Sequence, residues 1–512
     1  MGLHWNPKTV YTWYCCMIAA SCMVLYGYDA SVYNSVQGSA NWKAYFNHPE
    51  KNGNIIGSIN TAYTVGAILG GFFLGGPIAD YGGRKVGMVV GCILVIIATF
   101  LQVFAPRGKI ACFLVGRCII GFGQGIALTA GPTYIGELTP AYLRGQIMAC
   151  WQMFYSVGAF ICFWIAYGTN EHKERLGDWD WKLVVIFQLL VPCVICGLVF
   201  TIPGTPRWYL KHGNQVEKAR NALRMTRQSE EEVDAELMSI QEALEYEKEA
   251  VSSGYSALWK DKSVRKRFLI AAVLNAGQQL TGQGSLNTYS SKVYEKVFDN
   301  SSTIMLINAL NATLSIPFTL TASVFVDRVG RRFLFIVGGI GMACCLIAVA
   351  TVETQTPDLA GGAKSRPVGI AIVFLLFFFV FFYKPSWGAT VWVWSSEVFS
   401  MNVRAQAIGM AGQTQNVVNA ILQQFFPTFL DNCGFYAFYF FAGMNVLLVT
   451  FVIFCVPETK KIPLEEIDVI FGGENHATAH HFDKEDPEKS AAEHFEKADH
   501  VNVENVDVSE KR

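Results

Sequence analysis

TPRWYLKHGNQVEKARNALRMTRQSEEEVDAELMSIQEALEYEKEAVSSGYSALWKDKSVRKR, residues 205–267, decides the fold, because it is polar and both of its flanks are apolar. About six apolar runs precede it and about six follow. The flanks also repeat one another. Gly76-Pro77-Ile78-Ala79-Asp80-Tyr81-Gly82-Gly83-Arg84-Lys85 follows the second apolar run, and Asp327-Arg328-Val329-Gly330-Arg331-Arg332 follows the eighth. Glu137 and Arg144 stand seven residues apart after the fourth run, as Glu397 and Arg404 do after the tenth. Val456-Pro457-Glu458-Thr459-Lys460-Lys461 closes the second flank much as Ile202-Pro203-Gly204-Thr205-Pro206-Arg207 closes the first. Three matched signals in one order mark a duplicated unit of six helices.

Of the 512 residues, 52% are apolar and only 16% charged, and mean hydropathy is +0.30. A soluble chain carries about 25% charge. The apolar runs are about 20 residues long, enough to cross a ~30 Å hydrocarbon core as helix. The chain reads as a polytopic membrane protein, with the lipid bilayer as its first partner. Expected spans are residues 11–33, 55–78, 86–105, 110–134, 146–167, 184–202, 268–290, 302–326, 333–352, 367–394, 405–427 and 434–456. The resulting parts are a first bundle (1–203), a cytoplasmic helical linker (204–267), a second bundle (268–470) and a disordered cytoplasmic tail (471–512). In the linker, Glu230 to Ala250 has the composition of a surface helix. It either braces the inner ends of both halves or is a solvated connector.

Lys and Arg set the orientation, since cytoplasmic loops carry their excess. Arg84-Lys85, Arg144, Arg328 with Arg331-Arg332, Arg404, the linker and Lys460-Lys461 share one face, and the other face has only scattered cations. Both termini are therefore expected in the cytoplasm, most naturally at the plasma membrane. Asn300 opens an Asn-Ser-Ser triplet on the outer face, a glycosylation candidate. A net charge of −1 without a basic tract gives no case for nucleic acid. Nearly all of the 14 cysteines lie in apolar runs, so no structural disulfide is expected. The first apolar run lacks a small-residue cleavage site and reads as a retained span. Histidines 476, 480 and 481 are too loosely spaced to make a metal site. No phosphate-cradling loop, HExxH pair or G-x-S-x-G elbow argues for catalysis or a cofactor.

Several of these stretches resemble the sugar porter branch of the major facilitator superfamily, its fungal members above all. They are Asp80…Gly83-Arg84-Lys85, Gly116-Arg117…Gly121, Pro132…Glu137…Arg144-Gly145, Pro206-Arg207-Trp208, Gln278-Gln279…Gly282, Asp327…Arg332 and Pro457-Glu458-Thr459. The resemblance implies an all-α membrane protein with twelve transmembrane helices in two pseudo-symmetric six-helix bundles. A central cavity would open alternately to each side, with substrate near the midplane. The implied protein is a monomeric secondary transporter of a small polar solute, a sugar or polyol, moved with protons. The alternatives are an organic acid or secondary metabolite on the same fold, and a nutrient sensor that binds without flux.

Asp29 is the only acid well inside any expected span, and a carboxylate there is costly unless paired or functional. Its natural partner is Arg117, and the resemblance places the matching pair together in proton-coupled members. The two form either a proton switch or a static ion pair. Asp80, Arg84, Glu137, Arg144, Asp327, Arg331, Arg332, Glu397 and Arg404 are expected to gate the inner end: Arg84, Arg331 and Arg332 either pair with Glu137 and Glu397 or sit on helix C-termini, and pairs across the two bundles would hold the gate shut when the outside is open. Positive-inside charge alone would explain the arginines, but not the repeated acid–arginine spacing. Tyr81 stands where the family has arginine.

The resemblance also gives Gln152, Gln278, Gln279, Tyr289, Trp392, Gln415 and Asn419 as substrate-binding positions. Amides suit a ring of hydroxyls, since they both donate and accept; they also glue membrane helices together. Gly284 stands where the family has a sugar-binding asparagine, Thr288-Tyr289 where it has paired tyrosines, and Asn416 at a common tryptophan position. Lys384 replaces a small or apolar residue about ten residues into the tenth span. It either meets an anionic substrate or reaches a backbone carbonyl beside Pro385.

Overall fold

The computed structural model describes residues 6–213, 215–250, 262–298, 300–357, 365–399, 404–460 and 471. Every regular element among them is helical, and the helices make twelve passes. The first six are Pro7–Gln37, Gly53–Tyr81, Arg84–Val103, Ile110–Leu138, Ala141–Glu171 and Trp179–Thr201. The seventh is broken, as Lys262–Leu280, Gln283–Thr288 and Ser290–Glu295. Then come Ser301–Val329, Arg331–Gln355, the tenth pass in three pieces, Arg404–Cys433 and Tyr436–Cys455. Ten of the passes are long and apolar enough to cross a membrane. The seventh falls short because its long helix opens on Arg265-Lys266-Arg267 and breaks at Gly282, the eleventh because of its amides, and both carry amide rows: Asn275, Gln278 and Gln279, and Gln415, Asn419 and Gln423. Polar residues at membrane depth face a bundle interior or a cavity. These two helices therefore have work other than meeting lipid.

The sequence predicts the seventh and tenth spans as continuous, and the structure breaks both. Gly282 has φ +93°, and a Cβ there would sit 2.8 Å from the Phe441 ring, so only glycine lets the chain turn at that point. The tenth pass runs as Arg366–Tyr383, a π-helical turn Lys384–Gly388, and Thr390–Val398. Pro385 lacks an N–H and cannot continue the regular ladder. Such π-turns often occur at functional sites.

Two tight crossings fix the first pass beside the fifth. A Cβ on Gly27 would stand 2.0 Å from the Tyr155 carbonyl oxygen, and one on Gly158 would stand 2.1 Å from that of Val24. The backbones therefore touch next to Asp29. The linker helices Pro206–Lys211, Val216–Thr226 and Glu230–Ala250 share a small core of Leu210, Leu223, Val233 and Leu237. They dock on the first half: Trp208 Nε1 donates to the Asp80 carbonyl at 2.7 Å and Arg227 Nη1 to the Leu138 carbonyl at 3.0 Å. Residues 251–261 lie outside the described chain, so the described bracing is of the first half. The tail beyond residue 471, with its histidines, lies outside it too.

Hydrogen bonds between the halves gather at the end opposite the arginine motifs. Asn34 Nδ2 donates to the Asn287 carbonyl and to Ser290 Oγ, both at 2.7 Å, and its Oδ1 accepts from Ser291 N at 3.1 Å. Gln37 Nε2 donates to the Thr288 carbonyl at 2.9 Å, and Lys43 pairs with Glu295 at 2.7 Å. Gln424 Nε2 reaches the Asn54 carbonyl at 3.2 Å, and Asn170 Oδ1 accepts from Ser301 at 3.0 Å. Passes one, two and five thus clasp passes seven, eleven and eight, which seals this end.

Candidate functional site

Asp29 and Arg117 are both fully buried, on the first and fourth passes. The structure brings them together without a direct ion pair between their side chains. Arg117 Nη1 donates to the main-chain carbonyl of Asp29 at 2.9 Å, and Nη2 reaches Asn60 Oδ1 at 3.4 Å. The guanidinium lies over the Tyr63 ring at 4.5 Å and faces Tyr33 at 5.9 Å. Stacking on aromatic faces suits the weakly hydrated guanidinium. The carboxylate turns instead to Gln124, whose Nε2 donates to Asp29 Oδ2 at 3.0 Å while its Oε1 accepts from Tyr26 N at 2.9 Å. Asp29 Oδ1 has no hydrogen-bond partner among the described residues. The Gln188 side chain lies alongside. The acid is caged this way near a cation without being fused to it.

Lys384 begins the π-turn and leans across the boundary between the halves. Its Nζ stands 5.6 Å from the centre of the Tyr155 ring on the fifth pass. Among the described residues it has neither a carboxylate nor a carbonyl partner, so the backbone-carbonyl alternative is not what the structure adopts. Tyr155 in turn packs on Tyr26 at 5.3 Å, one helical turn from Asp29. Gln278 braces the turn that carries the lysine: its Nε2 donates to the Trp387 and Gly388 carbonyls at 2.8 and 3.0 Å. Its Oε1 is left without a partner.

The remaining amides divide between free and engaged. A Cβ at position 284 would meet Gln279 Oε1 at 2.4 Å and Asn419 Oδ1 at 3.5 Å. Gly284 therefore leaves room that Gln279 fills from the preceding helix of the same pass. Asn419 Oδ1 accepts from Gln423 Nε2 at 3.1 Å, and Gln423 Nε2 also reaches Thr288 Oγ1 at 3.0 Å. Tyr289 is fully buried with its hydroxyl on the Gln423 carbonyl at 2.8 Å, which makes it a strut between passes seven and eleven. Gln415 Oε1 is buried without a partner. Gln152 and Trp392 are exposed, the indole 37% so, and its ring lies against Gly412.

At the arginine-rich end each half makes its own acid–arginine pair. Arg84 Nη2 meets Glu137 Oε1 at 2.8 Å, and Arg331 Nη2 meets Glu397 Oε1 at 2.6 Å. Each pair lies inside its own bundle, in a structure whose opposite end is closed. Asp80 Oδ1 stands 3.1 Å from Arg84 Nη1 as a further ion pair in the same half. Arg332 goes to the Ile453 carbonyl at the end of the twelfth pass, where a cation meets the negative end of a helix dipole. Glu458 caps the start of the ninth pass, accepting from the main-chain nitrogens of Arg331 and Arg332 at 2.9 and 3.0 Å. The side chains of Arg144, Asp327 and Arg404 lie outside the described residues. Asn300 is exposed and caps the eighth pass through Ser302 N at 2.9 Å.

Gln124, Asn60, Tyr155 and Asn34 escaped the sequence reading. Gln124 alone had a signal, as a lone amide between two glycines of an otherwise apolar run.

The chain was compared with known proteins. Residues 15–471 match the family model described as "Sugar (and other) transporter". A probable quinate permease of Aspergillus flavus is 28% identical over 91% of this chain and 90% of its own length. A quinate permease of Emericella nidulans is 27% identical over the same shares. Among solved structures, the inward-open xylose transporter XylE from E. coli aligns with TM-score 0.74 and 23% identity, covering 90% of this chain and 99% of that one. The proton:xylose symporter XylE bound to 6-bromo-6-deoxy-D-glucose aligns with TM-score 0.73 and 24% identity, covering 91% and 100%.

Proposed function

The chain belongs to the sugar transporter family, and on that footing we propose that it carries a small polyhydroxylated solute across the plasma membrane together with protons. Among such solutes the site best suits one that also bears a carboxylate, as quinate does. The observation that carries this reading is Lys384, an ammonium at the centre of the molecule without an acidic partner among the described residues. A cation at membrane depth is costly unless its charge is used. A carboxylate entering between the halves would neutralise it, while the free oxygens of Gln278 and Gln415 and the amide of Asn419 take hydroxyls. The names of the permeases similar to this chain agree with such a solute.

Asp29 supplies the proton site. With the end opposite the arginine motifs sealed, the structure represents one limb of alternating access, and rocking of the halves would expose the solute to the other side. The acid–arginine pairs act as struts that keep the helix ends of each half rigid during that motion. Both termini are cytoplasmic in this reading, Asn300 is an outer glycosylation site, and the working unit is a single chain. A second reading, a neutral sugar or polyol, draws on the amide rows alone. Uptake of labelled quinate, xylose, glucose and a polyol in transporter-deficient cells, with and without a protonophore, separates the two. Acid uptake that collapses with the proton gradient supports the first, and sugar uptake alone replaces it with the second.

A further inference from the structure

We propose that Gln124 serves Asp29 in both of its charge states by turning its side-chain amide over. The inference rests on the proton-coupling reading and names a positioning residue for it. Gln124 is fully buried on the fourth pass, in Gly123-Gln124-Gly125. One end of its amide lies 3.0 Å from Asp29 Oδ2. The other end lies 2.9 Å from the Tyr26 nitrogen and 3.3 Å from the Cys22 carbonyl oxygen. Tyr26 and Cys22 are four residues apart, so these two atoms form a rung of the first helix's own ladder. That rung offers a donor and an acceptor at nearly one point. Either atom of the amide, oxygen or nitrogen, is therefore satisfied there.

The two orientations match the two states of the acid. When Asp29 is ionised, Gln124 Nε2 donates to Oδ2 and Oε1 accepts from Tyr26 N. When a proton binds at Oδ2, the new O–H donates to Oε1, and Nε2 turns to the Cys22 carbonyl. Both the oxygen and the nitrogen of the amide keep a partner in either state, which matters because an unmet buried polar group is costly. Other groups set the field around Asp29. Arg117 faces it from the fourth pass, Tyr63 from the second, Cys92 from the third, Cys162 from the fifth and Tyr28 from its own helix. Gln188 lies alongside the same acid, but Gln124 is the amide that bridges the carboxylate to a rung of the first helix, where either of its ends finds a partner.

Two measurements test the proposal. Gln124→Met keeps the length and removes the amide. The pH of half-maximal uptake should then move upward by up to about one unit, because the charge-assisted bond lost from the ionised form outweighs the neutral bond lost from the protonated form. A profile superimposing on that of the unaltered protein overturns the proposal. The second is infrared difference spectroscopy of the purified protein between neutral and acid buffer, with glutamine side-chain carbonyls isotope-labelled. A labelled amide band should appear together with the Asp29 carboxyl band, and both should vanish in Asp29→Asn. An amide band that survives in Asp29→Asn, or a carboxyl band without an amide band, overturns the proposal. The spectrum requires no transport. Proton-independent uptake would therefore remove the coupling reading while the spectrum still decides on Gln124, and a spectrum without the carboxyl band removes both.

Discussion

Arg117 donates to the main-chain carbonyl of Asp29 at 2.9 Å, while the carboxylate of the same residue turns away to Gln124. The arginine thus anchors the first helix to the fourth without neutralising the acid by direct contact. A direct bidentate pair would hold the carboxylate ionised and resist protonation. This arrangement leaves it available.

Asp29→Asn removes the proton site but keeps the shape and Gln124's partner. Accumulation against a gradient should be lost, while counterflow exchange of solute persists. Uphill uptake retained by the variant would remove Asp29 from the coupling role.

Lys384→Met removes the charge and keeps most of the stem. Uptake of the carboxylated solute should fall at least about tenfold, the weight of one charged hydrogen bond, chiefly through KM. Lys384→Arg should recover part of it. Initial rates over a range of concentrations check both.

Gly284→Ala puts a methyl where Gln279 Oε1 sits, 2.4 Å from the new carbon. The amide must swing away, so affinity should drop several-fold with little change in thermal stability. Unaltered KM would show that Gln279 does not touch the solute.

Gly282→Ala acts on the fold itself. Its φ of +93° costs an L-residue about 1–2 kcal/mol, and the new methyl meets the Phe441 ring at 2.8 Å. The thermal midpoint of detergent-purified protein should fall clearly, which a melting curve reads.

Glu137→Gln and Glu397→Gln each weaken a strut by about 2 kcal/mol. Since each pair lies inside its own half, the two losses should add in the double variant. Strong non-additivity would point to a lock shared between the halves.

The twelve passes and their duplication were legible because a membrane span is written in length and hydropathy, and the repeated Glu137…Arg144 and Glu397…Arg404 spacing dated both halves to one unit. The partners of the charges were harder. Spacing placed Arg84, Glu137, Arg331 and Glu397 at one end, but whether they pair within or across halves depends on packing that no single helix encodes. The break at Gly282 follows from a positive φ, which a lone glycine in an apolar run does not announce. Gln278 read as a solute ligand, and its nitrogen is spent on the π-turn that Pro385 creates. Gln124 was passed over because an amide in a membrane helix is ordinarily glue, and only the crossing of the first and fourth passes shows what it holds.

Lys384, without an acidic partner among the described residues, is what would make this carrier a proton-driven transporter of a hydroxylated acid. Uptake of labelled quinate and labelled xylose, each in the unaltered protein and in Lys384→Met with and without a protonophore, tests it most directly. Quinate uptake should be abolished by the protonophore and reduced at least about tenfold by Lys384→Met. Xylose uptake of equal strength in both proteins, with no quinate uptake in either, would contradict it.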